Sequence, residues 1–71
     1  MTGKRLLGLL LQHGFEIIRV RGSHHYIRHA DGRSTVIMVH AGEIIGPGLY
    51  ADILKDIELK SDQLLYPPKR T

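Results

Sequence analysis

The sequence predicts an α+β fold, α-β-β-β-α in order, with a three-stranded antiparallel sheet and both helices on one of its faces. Three observations carry this. "TGKRLLGLLLQHG" (residues 2–14) repeats its apolar residues at helical spacing. "FEIIRVRG", "SHHYIRHA" and "STVIMVH" are each too short for a helix, and the first and last are dense in β-branched residues. "GLYADILKDIEL" then returns to a helical period. Helices that flank an unbroken run of strands pack on one side of the sheet and leave the other open.

In the first helix Leu6, Leu10 and His13 share a stripe that Leu7 and Leu11 broaden, so a wide apolar face turns to the core. Thr2 suits the N-cap, and Gly14 suits the left-handed residue that ends a helix. Gly22 bends the chain into the second strand, and Asp31-Gly32 marks the tight turn into the third, since glycine accepts positive φ freely. "AGEIIGPG" (residues 41–48) is a loop, with Pro47 suited to the opening of a helix. Leu49, Ile53 and Ile57 recur every four residues and give the second helix its apolar face. Ser61 is placed to cap one further short turn, "SDQLLY", and Tyr50 and Tyr66 read as packing residues. Pro67-Pro68 cannot continue a helix. The expected organisation is therefore one domain over residues 1–66 and a flexible tail over 67–71.

A chain of 71 residues holds one small core. It has no cysteine, hence no disulfide and no thiolate metal site. No apolar run reaches the roughly 20 residues of a membrane helix, and the apolar N-terminal segment carries no small-residue cleavage site, so a cytoplasmic protein is expected. The net charge of +3 is unevenly spread. Residues 1–33 carry six Lys/Arg against two acids, a balance of +4, and residues 34–71 carry four against five, a balance of −1. A basic half on a small domain suits an anionic partner, RNA or DNA above all. A soluble surface with uneven charge is the plainer alternative.

The stretch "RVRGSHHYIRHADGR" (residues 19–33) puts three histidines and four arginines into fifteen residues. Alternation along the second strand separates His24, Tyr26 and Arg28 from His25, Ile27 and His29. Ile27 belongs with the core, which sends the first set to the open face. An imidazole, a phenol and a guanidinium together suit RNA, through proton transfer, stacking and phosphate pairing. Histidine titrates near pH 6.5, and RNA supplies its own nucleophile in the 2′-hydroxyl. A base at that hydroxyl, with arginine on the phosphate oxygens, suffices for cleavage without a metal. A purely decorative surface histidine is the competing reading from spacing alone.

A metal site fits poorly. His24 and His25 point to opposite faces, and His25 and His29 lie four strand residues apart, roughly 13 Å, too far for zinc bonds of about 2.0 Å. "GPG" and "RGSHH" lack the pattern of a phosphate-binding loop.

"LLLQHGFEIIRVRGSHHYIRHADGR", a strand ending in His40 and the helix "GLYADILKDIEL" resemble the HicA toxins, small RNA-cleaving proteins of type II toxin–antitoxin pairs. The similarity runs over roughly residues 4–65, and its signature is Gly-Phe, then Arg-x-x-Gly-Ser-His-His, then Asp-Gly-Arg. The resemblance implies an α-β-β-β-α fold similar to a double-stranded RNA-binding domain, and cleavage of mRNA without a metal or small-molecule cofactor. It implies His24 as the catalytic histidine, with Gly22 and Ser23 on the motif's glycine and serine, and a HicB-type antitoxin partner that covers the histidine. Arg19, Arg21, Arg28 and Arg33 are then expected to hold the RNA or face the antitoxin, and His25 and His29 to sit inward or at the edge. Three places depart from the family pattern: Ile37-Met38 stands where many relatives have Val-Pro, Gly48-Leu49-Tyr50 followed by Asp52 stands where Gly-Thr-Leu and basic residues are common, and the "EIIGPG" loop holds one extra residue. A weakened toxin, a non-catalytic RNA-binding module of the same fold and a domain that docks an acidic protein are the alternatives.

Overall fold

The computed structural model describes residues 1–66, so the expected tail at 67–71 lies outside the described residues. The elements are α1 (Gly3–Gln12), β1 (Phe15–Arg21), β2 (His24–His29), β3 (Ser34–Met38), α2 (Pro47–Asp56) and α3 (Ser61–Leu65). The strands form one antiparallel sheet in the order β1-β2-β3. This is the α+β order that the sequence predicts, with the last turn closed into a short third helix.

Local chemistry explains the boundaries. The Arg5 N–H donates to Thr2 Oγ1 at 3.1 Å, which caps the start of α1, and Gly14 ends the helix at φ +91°. The first turn of α1 lies directly on the end of β3. A Cβ at Gly3 would overlap the Met38 carbonyl oxygen, so only glycine permits this approach. Gly22 and Ser23 alone connect β1 to β2, with Arg21 opposite His24. Gly22 has φ +57°, as the first central residue of a type II′ turn requires. Four residues, Ala30 to Arg33, join β2 to β3: the His29 N–H donates to Arg33 O at 2.8 Å and the Gly32 N–H to His29 O at 2.9 Å.

The core is Leu6, Leu10, Phe15, Ile27, Ile37, Ile53, Ile57 and Leu64. Each such side chain contributes about 1.5–3 kcal/mol when fully buried, and with so few of them every one matters. Thr35 is buried on the same face, and its hydroxyl donates to Asp56 Oδ2 at 3.2 Å.

Four sequence-based expectations need correction. Leu11 is exposed, because α1 packs on β1, β3 and α3 along a narrower stripe than its leucines suggest. Leu49 is 49% exposed, since the first turn of α2 borders an open hollow at the end of β3 and the loop after it. Ser61 does not cap α3. Lys60 precedes the helix, its N–H held by Gln63 Oε1 at 2.8 Å, and the Ser61 hydroxyl lies 2.9 Å from that of Tyr50. Tyr66 is 79% exposed, beyond the last residue of α3.

Candidate functional site

The helices cover one face of the sheet, and the other carries the candidate site. Cross-strand pairing sets its side chains in three rows: Arg21–His24–Met38, Arg19–Tyr26–Val36 and Glu16–Arg28–Ser34. Ile27, Ile37 and Thr35 are buried on the opposite face, which fixes the direction of the rest by alternation.

A bulge makes the first strand fit this arrangement. Ile17 pairs with Ile27, yet Arg19 already pairs with Tyr26, leaving Ile18 as an extra residue. Strict alternation from the buried Phe15 would put Arg19 and Arg21 on the helix side of the sheet, away from His24. The extra residue shifts the phase, so both arginines project with His24. The signal is legible in hindsight: "FEIIRVR" has two adjacent isoleucines, and the arginines stand at the same parity as Phe15.

His24 stands at the turn end of this face, exposed, and makes no side-chain hydrogen bond among the described residues. Gly22 leaves open space beside it, and the Ser23 carbonyl is held by the Val39 N–H at 2.8 Å. The Arg19 guanidinium carbon lies 5.9 Å from the centre of the Tyr26 ring. Four basic side chains, Arg19, Arg21, His24 and Arg28, thus share one surface with the Tyr26 phenol ring and, at its far end beside Arg28, the Glu16 carboxylate. Such a surface attracts a polyanion, and the His24 imidazole is open to solvent.

The other histidines are engaged. His13 Nε2 is 3.0 Å from Leu64 O, joining α1 to α3. His25 Nδ1 lies 3.2 Å from Ser23 O. His29 meets Phe15 edge to face, with ring centroids 5.1 Å apart, and its Nδ1 accepts the Asp31 N–H at 3.1 Å. His40 lies past the end of β3 with Nε2 3.9 Å from Glu43 Oε2.

Arg33 is not brought to the His24 face. Its Nη1 donates to Ile57 O at 2.7 Å, its Nε donates to Asp31 Oδ2 at 2.8 Å, and its guanidinium stacks 5.2 Å from the Phe15 ring centre. The Asp31 carboxyl is held below its ordinary range, first by accepting the Arg33 backbone N–H and then by the guanidinium itself. Arg33 therefore clamps the β2–β3 hairpin to the end of α2. Among the described residues, no three His, Asp or Glu side chains converge to hold a metal ion, and no helix is long and apolar enough to cross a membrane.

Fold and face together define a class: a small α+β domain whose uncovered sheet presents one unpartnered histidine among arginines. The family described as HicA toxin of bacterial toxin-antitoxin matches residues 3–59 of the 71. The chain belongs to this family of toxins, and membership implies an antitoxin partner. A search of curated proteins finds no match.

Proposed function

We propose that this toxin is an endoribonuclease that cleaves mRNA through His24 and is neutralised by a HicB-type antitoxin. The observation that carries the reading is the exposed, unbonded imidazole of His24 on a sheet face shared with Arg19, Arg21 and Arg28. The family adds the toxic outcome and the antitoxin partner.

The chemistry asks little of so small a protein. Neutral His24 takes the proton of a ribose 2′-hydroxyl, whose oxygen attacks the adjacent phosphorus. The bond to the 5′-oxygen breaks, that oxygen gains a proton, and a 2′,3′-cyclic phosphate remains. Arginines on the phosphate oxygens stabilise the charge that builds in the transition state. Tyr26 and the exposed turn at Gly22–Ser23 give a base and the backbone a place to lie. Docking of the antitoxin over the same face would exclude RNA.

The test is expression of wild type and His24→Ala in cells lacking antitoxin, with RNA ends mapped. Growth arrest and 2′,3′-cyclic ends that require His24 support the reading. Equal arrest by both proteins, or 3′-hydroxyl ends, overturns it. Salt-dependent RNA binding without cleavage would instead favour a non-catalytic binding module.

A further inference from the structure

Next to the His24 face, the chain builds a second feature. A hollow of about 90 Å³ opens between the end of β3, the loop after it and the first turn of α2, lined by Met38, His40, Glu43, Ile44 and Leu49 among others. Three of these are large apolar side chains left in solvent: Met38 is 43% exposed, Leu49 49% and Ile44 71%. A chain with so small a core would gain stability by covering them, so their concentration around one opening calls for an occupant.

The rim is polar in a specific way. A turn from His40 to Glu43 is closed by the Glu43 N–H donating to His40 O at 3.3 Å, with Gly42 at φ +73°. This turn folds the Glu43 carboxylate back to 3.9 Å from the His40 ring. A carboxylate beside an apolar slot repels phosphate and accepts hydrogen bonds from an uncharged group with N–H donors. A nucleobase meets both demands: two apolar faces and a polar edge.

Position ties the hollow to the site. Met38 pairs directly with His24 across β2 and β3, which places their Cα atoms about 5 Å apart. An RNA strand whose phosphate lies at His24 can place a neighbouring base over Met38. Of the four bases, guanine alone presents two adjacent donors, N1–H and N2–H, to a carboxylate's two oxygens. Adenine and cytosine offer a donor beside an acceptor, and uracil one donor between two acceptors.

We propose that this hollow is a base-recognition subsite for guanine, with Met38, Ile44 and Leu49 holding the ring and Glu43 reading its Watson–Crick edge. It rests on the reading of the His24 face as an RNA-cleaving surface. Two measurements separate the two ideas. In the first, the amide resonances of the folded protein are followed while 3′-GMP, 3′-AMP, 3′-CMP or 3′-UMP is added. The expected result is that 3′-GMP shifts the amides of Ile44, Ile45 and Leu49, binds at least tenfold more tightly than the others, and loses that margin in Glu43→Gln. Equal binding of all four, or a guanine preference that survives Glu43→Gln, overturns the subsite. In the second, cut positions on an RNA of mixed sequence are mapped. Guanine at one fixed place beside the cut, lost in Glu43→Gln, supports it. Cleavage that needs His24 but ignores the neighbouring base sinks the subsite and leaves the nuclease standing. Selective 3′-GMP binding at these amides with no cleavage of any RNA keeps the subsite and removes the nuclease.

Discussion

Arg19 stands opposite Tyr26 across the β1–β2 ladder, its guanidinium carbon 5.9 Å from the centre of the phenol ring. The pair exists because Ile18 bulges out of register just before it. A guanidinium over an exposed aromatic face contributes about 0.5–1 kcal/mol. The expected coupling in a double-mutant cycle of Arg19→Met and Tyr26→Leu is therefore about 0.5–1 kcal/mol, measured by urea denaturation. Zero coupling would mean that the two side chains merely share a surface.

Arg28 and Arg33 bracket the same hairpin, yet they do different work. Arg28 projects with His24, whereas Arg33 donates to Ile57 O at 2.7 Å on the helix side. Arg33→Met is expected to cost about 1.5–3 kcal/mol of stability, the usual loss for a hydrogen bond from a charged donor. It should leave the salt dependence of RNA binding as it was. Arg28→Ala should do the reverse, keeping stability and lowering the slope of log K against log salt by about 0.7. The opposite pattern would reverse the assigned roles.

The sequence makes some parts of this molecule easy to read and others opaque. Leu6 and Leu10 on α1, Ile53 on α2 and Ile57 at its C-cap follow a helical period that survives into the core because both helices lie on the same sheet face. The open face of β2 is legible because Ile27 alone fixes the parity of a six-residue strand. Arg33 was not legible: its partner is a backbone carbonyl 24 residues on, and carbonyls leave no mark in a sequence. The bulge at Ile18 was hidden for a related reason, since a single phase shift is invisible to a period-two pattern unless the parity of the arginines is set against that of Phe15. Leu49 misled because spacing shows that a helix has an apolar face but not how far the sheet beneath it extends.

Gly3 tests how closely α1 sits on the sheet. Because a Cβ there would overlap the Met38 carbonyl oxygen, Gly3→Ala must push α1 away from β3. Overpacking of this kind costs about 1–3 kcal/mol, against a gain of up to about 1 kcal/mol from helix propensity. Gly8 lies on the same helix with open space where its Cβ would be, so Gly8→Ala should gain stability. Thermal melts of the two variants should therefore move in opposite directions. If Gly3→Ala is as stable as Gly8→Ala, the close approach of α1 to β3 is wrong.

Asp31 gives the pH dependence a sign. Its carboxyl titrates below the ordinary range in the folded chain, chiefly because it accepts the Arg33 N–H, with the guanidinium at 2.8 Å adding to the effect. The unfolded chain holds that proton more tightly, near the reference value of about 3.9. A depressed folded pKa stabilises above the unfolded pKa, and the contribution is lost as the pH falls through the folded value. Wild type should thus melt above Asp31→Asn at neutral pH, by a constant margin down to about pH 5. Below about pH 4 the margin should shrink, because the protonated carboxyl no longer holds Arg33 as an anion. Asp31 is exposed, so the effect will be small and weaker in high salt. Melting curves of both proteins from pH 2.5 to 8 at two salt concentrations would check this, and a margin that grows on acidification would show that Asp31 is not the anchor of Arg33.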